Sequence, residues 1–222
     1  MKAVILAGGE GTRLRPLSLG QPKPMTLLLD KPVLEHIITL LRRNGITEIA
    51  VTLQYMPQCI TDYFGDGSAL GVRLVYFTED EPRGTAGSVK QCMEFLGEED
   101  FLVISGDAVC DLDLKAAMAF HSTRRSAATL LLYRHPKPLE YGLVLTGQDG
   151  RIQQFIEKPG WGQVLTNMVN TGIYLLTRRA MDLVPEDRPF DFARDLFPAL
   201  LYKGDELYGF SPKGYWCDMG DC

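Results

Sequence analysis

Three kinds of group in this chain could handle phosphate: closely spaced glycines, fixed cations beside them, and carboxylates that arrive from distant segments. Gly8, Gly9 and Gly11 lie directly behind the apolar run Ala3-Val4-Ile5-Leu6-Ala7, and Thr12, Arg13, Arg15 and a Pro-Lys-Pro centred on Lys23 follow them. Glycines let backbone N–H groups approach oxygens that a Cβ would hold off. Arg13 brings a planar fork and Lys23 a point charge, so residues 8–25 read as a polyphosphate grip. Two commoner phosphate loops are excluded. Leu14 stands where a dinucleotide fingerprint beginning at Gly9 needs its third glycine, and no Gly-Lys-Ser/Thr occurs anywhere.

The carboxylates come next. Asp107 follows an apolar run in Ser-Gly-Asp, and Asp218 sits late in the chain in Trp-x-Asp-x-Gly. Two such groups suit one Mg²⁺, which takes few protein ligands and completes its shell with water and phosphate oxygens. An Asp behind a strand caps a turn as readily as it binds a metal. Asp111 and Asp113 read as turn or helix-cap residues. Glu79 can only accept hydrogen bonds. Guanine has a two-donor edge, N1–H and N2–H₂, whereas uracil and thymine flank one N–H with carbonyls. A Glu79 facing a base therefore favours GTP; the alternative is a solvated acid in Glu79-Asp80-Glu81. Pro82 to Ser88 opens a helix with small residues, where free N–H groups and the absence of bulk let something flat lie against the backbone.

The elements that must position these groups follow from periodicity. Residues 3–7, 49–53, 72–77 and 101–105 read as strands, and 32–43, 55–64, 85–95 and 114–123 as helices. Such alternation predicts an α/β fold with a mainly parallel sheet and helices on both faces. The segments 8–25, 78–85 and 106–111 then all fall beyond the carboxyl ends of strands, where ligands bind in such sheets. Beyond 114 the pattern changes to strands at 127–133, 143–145, 152–156 and 169–176, helices at 178–183 and 191–202, and final strands at 207–210 and 215–219. Asp191 reads as the N-cap of the second of these helices.

Composition sets bounds. The 222 residues suffice for one large core, and 45% hydrophobic with 23% charged residues is the balance of a globular protein. A net charge of −5 argues against nucleic acid or an anionic membrane as partner. No apolar run approaches the length of a membrane span, and no signal peptide is evident. Five cysteines without Cys-x-x-Cys spacing predict reduced thiols and a cytoplasmic location, and the three scattered histidines do not suggest a zinc cluster.

The run GxGTRLxPL over 9–17, followed by Pro-Lys-Pro-Met at 22–25, resembles the sugar nucleotidyltransferases, or sugar-1-phosphate pyrophosphorylases, and most of all their mannose-1-phosphate guanylyltransferase branch. The resemblance covers nearly the whole chain. It implies a Rossmann-like three-layer sandwich, the nucleotide-diphospho-sugar transferase fold. It also implies a single catalytic domain over 1–222, with a nucleotide-binding half (1–113) and a sugar-phosphate half (114–222). Members usually continue further, so a C-terminal extension is expected to be missing, and the oligomeric state is left open, homo-oligomers included.

The resemblance further implies nucleotide contacts from Leu6, Ala7, Gly8, Gly9, Gly11, Thr12, Arg13, Lys23, Glu79, Gly84 and Thr85. Sugar-phosphate contacts would come from Gly142, Glu157, Lys158, Asn170 and Thr171, and a Mg²⁺ would be held by Asp107 and Asp218. Arg13, Lys23, Asp107 and Lys158 would carry the chemistry, transfer of a nucleotidyl group from an NTP, with GTP favoured, to a hexose 1-phosphate. Arg83 stands where the family pattern has leucine. Thymidylyl, uridylyl or adenylyl transfer to glucose, N-acetylglucosamine or heptose 1-phosphate, and a non-catalytic nucleotide-sugar-binding relative, are the alternatives. A nicotinamide-dependent oxidoreductase is disfavoured by the failed fingerprint.

Overall fold

The computed structural model describes residues 1–9, 20–157, 159–160, 162 and 164–220. At its centre is β1 (Lys2–Leu6), parallel on one side to β4 (Glu48–Leu53) and on the other to β6 (Phe101–Ser105), with β5 (Arg73–Thr78) parallel to β4. These strands are covered on both faces, which is why they read as continuous apolar runs. Pleat alternation sorts their side chains: Ala3, Ile5, Ile49, Val51, Leu102 and Ile104 join one core, and Val4, Ala50, Phe101 and Val103 the other. The first core is closed by α1 (Val33–Arg43), α2 (Pro57–Phe64) and α5 (Leu114–Arg124), through Leu34, Ile37, Ile60 and Leu114 among others. The second is closed by α3 (Gly84–Lys90), α4 (Met93–Leu96) and α6 (Phe197–Lys203), through Val89, Leu96, Phe197 and Leu200. The result is the three-layer α/β sandwich that the alternation predicted.

The same sheet continues into the second half of the chain. β11 (Met168–Leu176) runs antiparallel to β6 and to β8 (Ala128–Arg134), and β12 (Leu207–Phe210) is parallel to β8. The hairpin of β9 (Leu143–Thr146) and β10 (Ile152–Ile156) joins it where Val169 faces Leu143. Register slips between Asn170 and Tyr174, with Gly172 at φ 75° in between, so β11 bends as it passes from one set of partners to the other. Two small ribbons lie apart from the main sheet: β2 (Leu27–Leu28) with β3 (Lys31–Pro32), and β7 (Ala108–Cys110) with β13 (Trp216–Asp218). Strands of two or three residues leave no period to read, and β2, β3 and β7 were not expected.

Other departures have physical reasons. The helix expected over 85–95 is interrupted between Lys90 and Met93, and 178–183 winds as a 3₁₀ helix. The helix expected over 191–202 begins as a π turn at Phe192–Leu196 before α6. Asp191 does not cap that turn with its side chain; the carboxylate is used on α3 instead. Asp113 does cap α5, accepting from the Ala116 N–H at 3.0 Å. Cys217 is disulfide-bonded, which corrects the expectation of five reduced thiols, while Cys59, Cys92 and Cys110 are free. Spacing along the chain cannot report the Cβ approach on which a disulfide depends. No described helix is long and apolar enough to cross a membrane.

His121, only 1% exposed, sits 2.8 Å from the Thr129 hydroxyl and 3.6 Å from an Asp100 oxygen. Burial lowers its pKa from the ordinary 6.5 and outweighs the opposing pull of Asp100. The unfolded chain therefore binds a proton here at a pH where the folded chain does not. The stabilisation is fully present above pH 6.5 and is lost as the pH falls from there toward the depressed folded value. We expect urea midpoints to fall between pH 7 and 5 with a slope containing up to about 1.4 kcal/mol per pH unit from this one site. His121→Gln should flatten that slope; an unchanged slope would remove His121 as its source.

Candidate active site

Two adjoining pockets open at the carboxyl ends of the parallel strands. One, of about 320 Å³, is lined by Leu6, Gly8, Gly9, Lys23, Glu79, Gly84 and Thr85 among others. The second, of about 530 Å³, is lined by Gly142, Glu157, Asn170, Thr171, Tyr174, Trp216 and Asp218 among others. Lys23, Ser105 and Asp107 line both. The structure thus gathers most of the expected residues. Ala7 is the exception: it is buried behind the glycine turn and lines neither pocket. Gly11, Thr12, Arg13 and Lys158 lie outside the described residues.

The shared wall is built by backbone. Gly106 donates to the Leu6 carbonyl at 2.8 Å, and a Cβ there would stand 2.7 Å from that oxygen. Only glycine lets β6 turn this close to β1, and the turn places Asp107 at the strand end. Asp218, 111 positions later, arrives through the ribbon of β7 and β13, where it faces Ala108 and where the Met219 N–H donates to the Asp107 carbonyl at 3.1 Å. Lys23 stands between the carboxylates, 2.6 Å from Asp107 Oδ2 and 3.0 Å from Asp218 Oδ1. Its backbone is held in a 3₁₀ turn flanked by Pro22 and Pro24. The Ser105 hydroxyl donates to Asp107 Oδ1 at 2.5 Å and the Gly220 N–H to Asp218 Oδ1 at 2.6 Å, so both carboxylates are fixed. Burial acts to lower the Lys23 pKa, but the charges and hydrogen bonds of the two aspartates outweigh it, and the ammonium is held above its ordinary range.

This donor set fits the expected ion. Two carboxylates already converge on one cation, the Lys23 ammonium. Among the described residues no group of three or more His, Cys, Asp or Glu side chains gathers. A hard cation that needs few protein ligands suits that arrangement, and a soft or tetrahedral one does not.

In the first pocket, Glu79 is 8% exposed in the wall, its N–H bonded to the Leu53 carbonyl at 2.8 Å, while Asp80 and Glu81 are exposed. The solvated-acid alternative therefore describes Glu79's neighbours and not Glu79. The start of α3 differs from expectation. Its N–H groups are already taken from within: Thr85 donates to Asp191 Oδ1 at 3.0 Å, and Ala86 and Gly87 donate to the Phe190 carbonyl at 2.9 and 3.0 Å. The chain at 190–192 crosses over Gly84, whose φ of 71° and closeness to the Phe190 backbone exclude a side chain. Asp191 itself lines the pocket.

On the other side, a Cβ on Gly142 would lie 2.7 Å from Glu157 Oε2, so this glycine makes room for that carboxylate. Asn170 donates to the Tyr174 hydroxyl at 3.0 Å and accepts from the Gly172 N–H at 3.1 Å. The Thr171 hydroxyl is committed to the Leu131 carbonyl at 2.7 Å. Ser105, Tyr174, Trp216 and Asp191 were missed as pocket residues by sequence reasoning. Ser105 had a signal, its place in Ser-Gly-Asp at a strand end; for Asp191 the partner is 106 residues away and no local pattern could show it.

With the geometry in place, comparison with known proteins is informative. A family profile described as Nucleotidyl transferase matches residues 2–222. A mannose-1-phosphate guanylyltransferase of Mycobacterium tuberculosis is 38% identical over 98% of this chain and 60% of its own length. A UTP–glucose-1-phosphate uridylyltransferase of Synechocystis is 37% identical over 99% of this chain and 60% of its own length. The chain thus spans about 60% of the length of these curated relatives. Among solved structures, HddC from Yersinia pseudotuberculosis complexed with GMP-PN aligns with a TM-score of 0.83 at 29% identity, over 99% of this chain and 93% of that one. UDP-glucose pyrophosphorylase complexed with UDP-glucose aligns at 0.84 and 20% identity, over 99% of this chain and 93% of that one, a likeness of fold alone. By these structural likenesses the fold is the nucleotide-diphospho-sugar transferase fold, and by the match over residues 2–222 the chain belongs to the Nucleotidyl transferase family.

Proposed function

We propose that this chain transfers a nucleotidyl group from an NTP to a hexose 1-phosphate, releasing pyrophosphate, with GTP and mannose 1-phosphate as the preferred pair. The observation that carries the reading is the wall of Lys23, Ser105 and Asp107 common to two adjoining pockets. A group passed from one pocket to the other must cross that wall. The sugar's phosphate oxygen attacks the α-phosphorus in line. It is already an anion, so no general base is needed; the obstacle is bringing two polyanions together. The chain's share is positioning and charge. A magnesium ion held by Asp107 and Asp218 would supply further neutralisation of the phosphates. Lys23 acts on the phosphates from the shared wall, Arg13 at the α-phosphate and departing pyrophosphate, and Lys158 on the incoming sugar phosphate.

The choice of base rests on Glu79, a buried acceptor in the nucleotide pocket that suits guanine's paired donors. The uridylyltransferase among the relatives supports a second reading, UTP with glucose 1-phosphate. A matrix of NTPs against sugar 1-phosphates, read by pyrophosphate release, decides between them. We expect GTP to give the highest kcat/KM, and Glu79→Gln to shrink its lead over UTP by about tenfold or more, the cost of one mismatched polar contact. A UTP optimum would overturn the guanine assignment. No release with any pair would favour the binding protein over the enzyme.

A further inference from the structure

In this structure Lys23 stands where a bridging ion would stand. Its nitrogen lies 2.6 Å from one Asp107 oxygen and 3.0 Å from one Asp218 oxygen, and the three groups sit in one partly buried cluster. The other Asp107 oxygen, Oδ1, accepts from the Ser105 hydroxyl, so Oδ2 alone meets Lys23. An octahedral Mg²⁺ needs its oxygens at roughly 2.0–2.1 Å. It cannot bind both of these oxygens while an ammonium lies between them, because the space is taken and the charges repel. The lysine has somewhere to go. Its stem has four rotatable carbons, and it lines the nucleotide pocket as well as the sugar-side pocket.

We propose that Lys23 is the internal counter-ion of the Asp107–Asp218 pair and competes with the divalent cation for it, so that loading the ion releases the lysine toward the phosphates. The proposal rests on the reading that these two aspartates hold the ion. Without nucleotide, the ammonium keeps two neighbouring carboxylates from repelling each other. When the ion arrives it takes over that task, and the displaced positive charge becomes available to the substrate. Ion and NTP then favour each other's binding: an NTP that draws Lys23 away empties the cradle, and an ion that fills the cradle frees Lys23. The free protein, by the same argument, binds the ion weakly, because most molecules hold the lysine in the ion's place.

The test is equilibrium Mn²⁺ binding to the whole chain without nucleotide, followed by electron spin resonance. Lys23→Met is expected to bind Mn²⁺ about tenfold more tightly than wild type, or better, and Lys23→Gln to do the same. Asp107→Asn and Asp218→Asn should each weaken binding. If both aspartate variants weaken it and neither lysine variant tightens it, the ion site stands and the competition is wrong. If the aspartate variants leave Mn²⁺ affinity unchanged, or if wild type and lysine variants all fail to bind, the ion site and the competition fall together. A wild-type measurement covers the case in which the lysine variants do not fold. Mn²⁺ should speed acylation of Lys23 by an amine-reactive ester, read by mass spectrometry, and an unchanged or slowed rate overturns the proposal.

Discussion

Asp107→Asn is expected to lower kcat for pyrophosphate release by roughly 10² to 10³, the usual loss on removing one preorganised charge from a reacting centre. The side chain is nearly isosteric, so the loss would not come from packing. Asp107 Oδ2 meets Lys23 at 2.6 Å, and Oδ1 takes the Ser105 hydroxyl at 2.5 Å. An amide has one acceptor where the carboxylate has two. If its oxygen stays with Lys23, its NH₂ group faces a hydroxyl that had been donating; if it flips, NH₂ meets an ammonium. Either way the wall common to both pockets loses a fixed negative charge at its middle. Steady-state kinetics would show the effect in kcat, with the melting temperature unchanged to within a few degrees. A loss below about threefold would exclude Asp107 from the reacting centre.

The second large effect is on stability. Gly84→Ala forces a side chain into φ 71° and pushes a Cβ to within 2.7–2.8 Å of the Phe190 backbone. The left-handed conformation alone costs about 1–2 kcal/mol in an L-residue. The crossing chain at 190–192 would have to lift, weakening the bonds from Ala86 and Gly87 to the Phe190 carbonyl, each worth about 1 kcal/mol net. We expect a total on the order of 3 kcal/mol, a fall in Tm of roughly 6–12 °C for a chain of this length. Gly204 is the control. It is left-handed at φ 89° and ψ 13°, and a Cβ there meets nothing within 4 Å, so Gly204→Ala should show the conformational part alone. Equal losses in the two variants would show that the Phe190 contact adds nothing.

How much of this was legible beforehand divides along one line. Whatever depends on a local period was visible: the apolar strands of the parallel half, the amphipathic stripe of α1, the Asp113 cap, and the glycine turns that put loops at the carboxyl ends. The resemblance located Asp107 and Asp218, but the sequence alone left Asp107 as readily a turn cap. What decided their closeness was the pairing of β13, expected as a strand, with β7, a three-residue strand too short to announce itself. Lys23 was expected on phosphate; that it also meets two aspartates could not be read locally, because they lie 84 and 195 positions away. The occupied start of α3 was hidden for a related reason. A helix N-terminus looks open in a sequence, since nothing nearby says that residues more than a hundred positions later will close it.

That late ribbon has a consequence for the order in which the protein comes into being. During synthesis the amino-terminal strands β1, β4, β5 and β6 can pair and bury their faces long before translation reaches Trp216. Through all that time Asp107 stands without its counterpart, which only the ribosome's last steps in this stretch deliver. A nascent chain can therefore fold much of its parallel half while Lys23 and Asp107 still lack the second carboxylate, and the cluster of three charges forms only after residue 218 has been made.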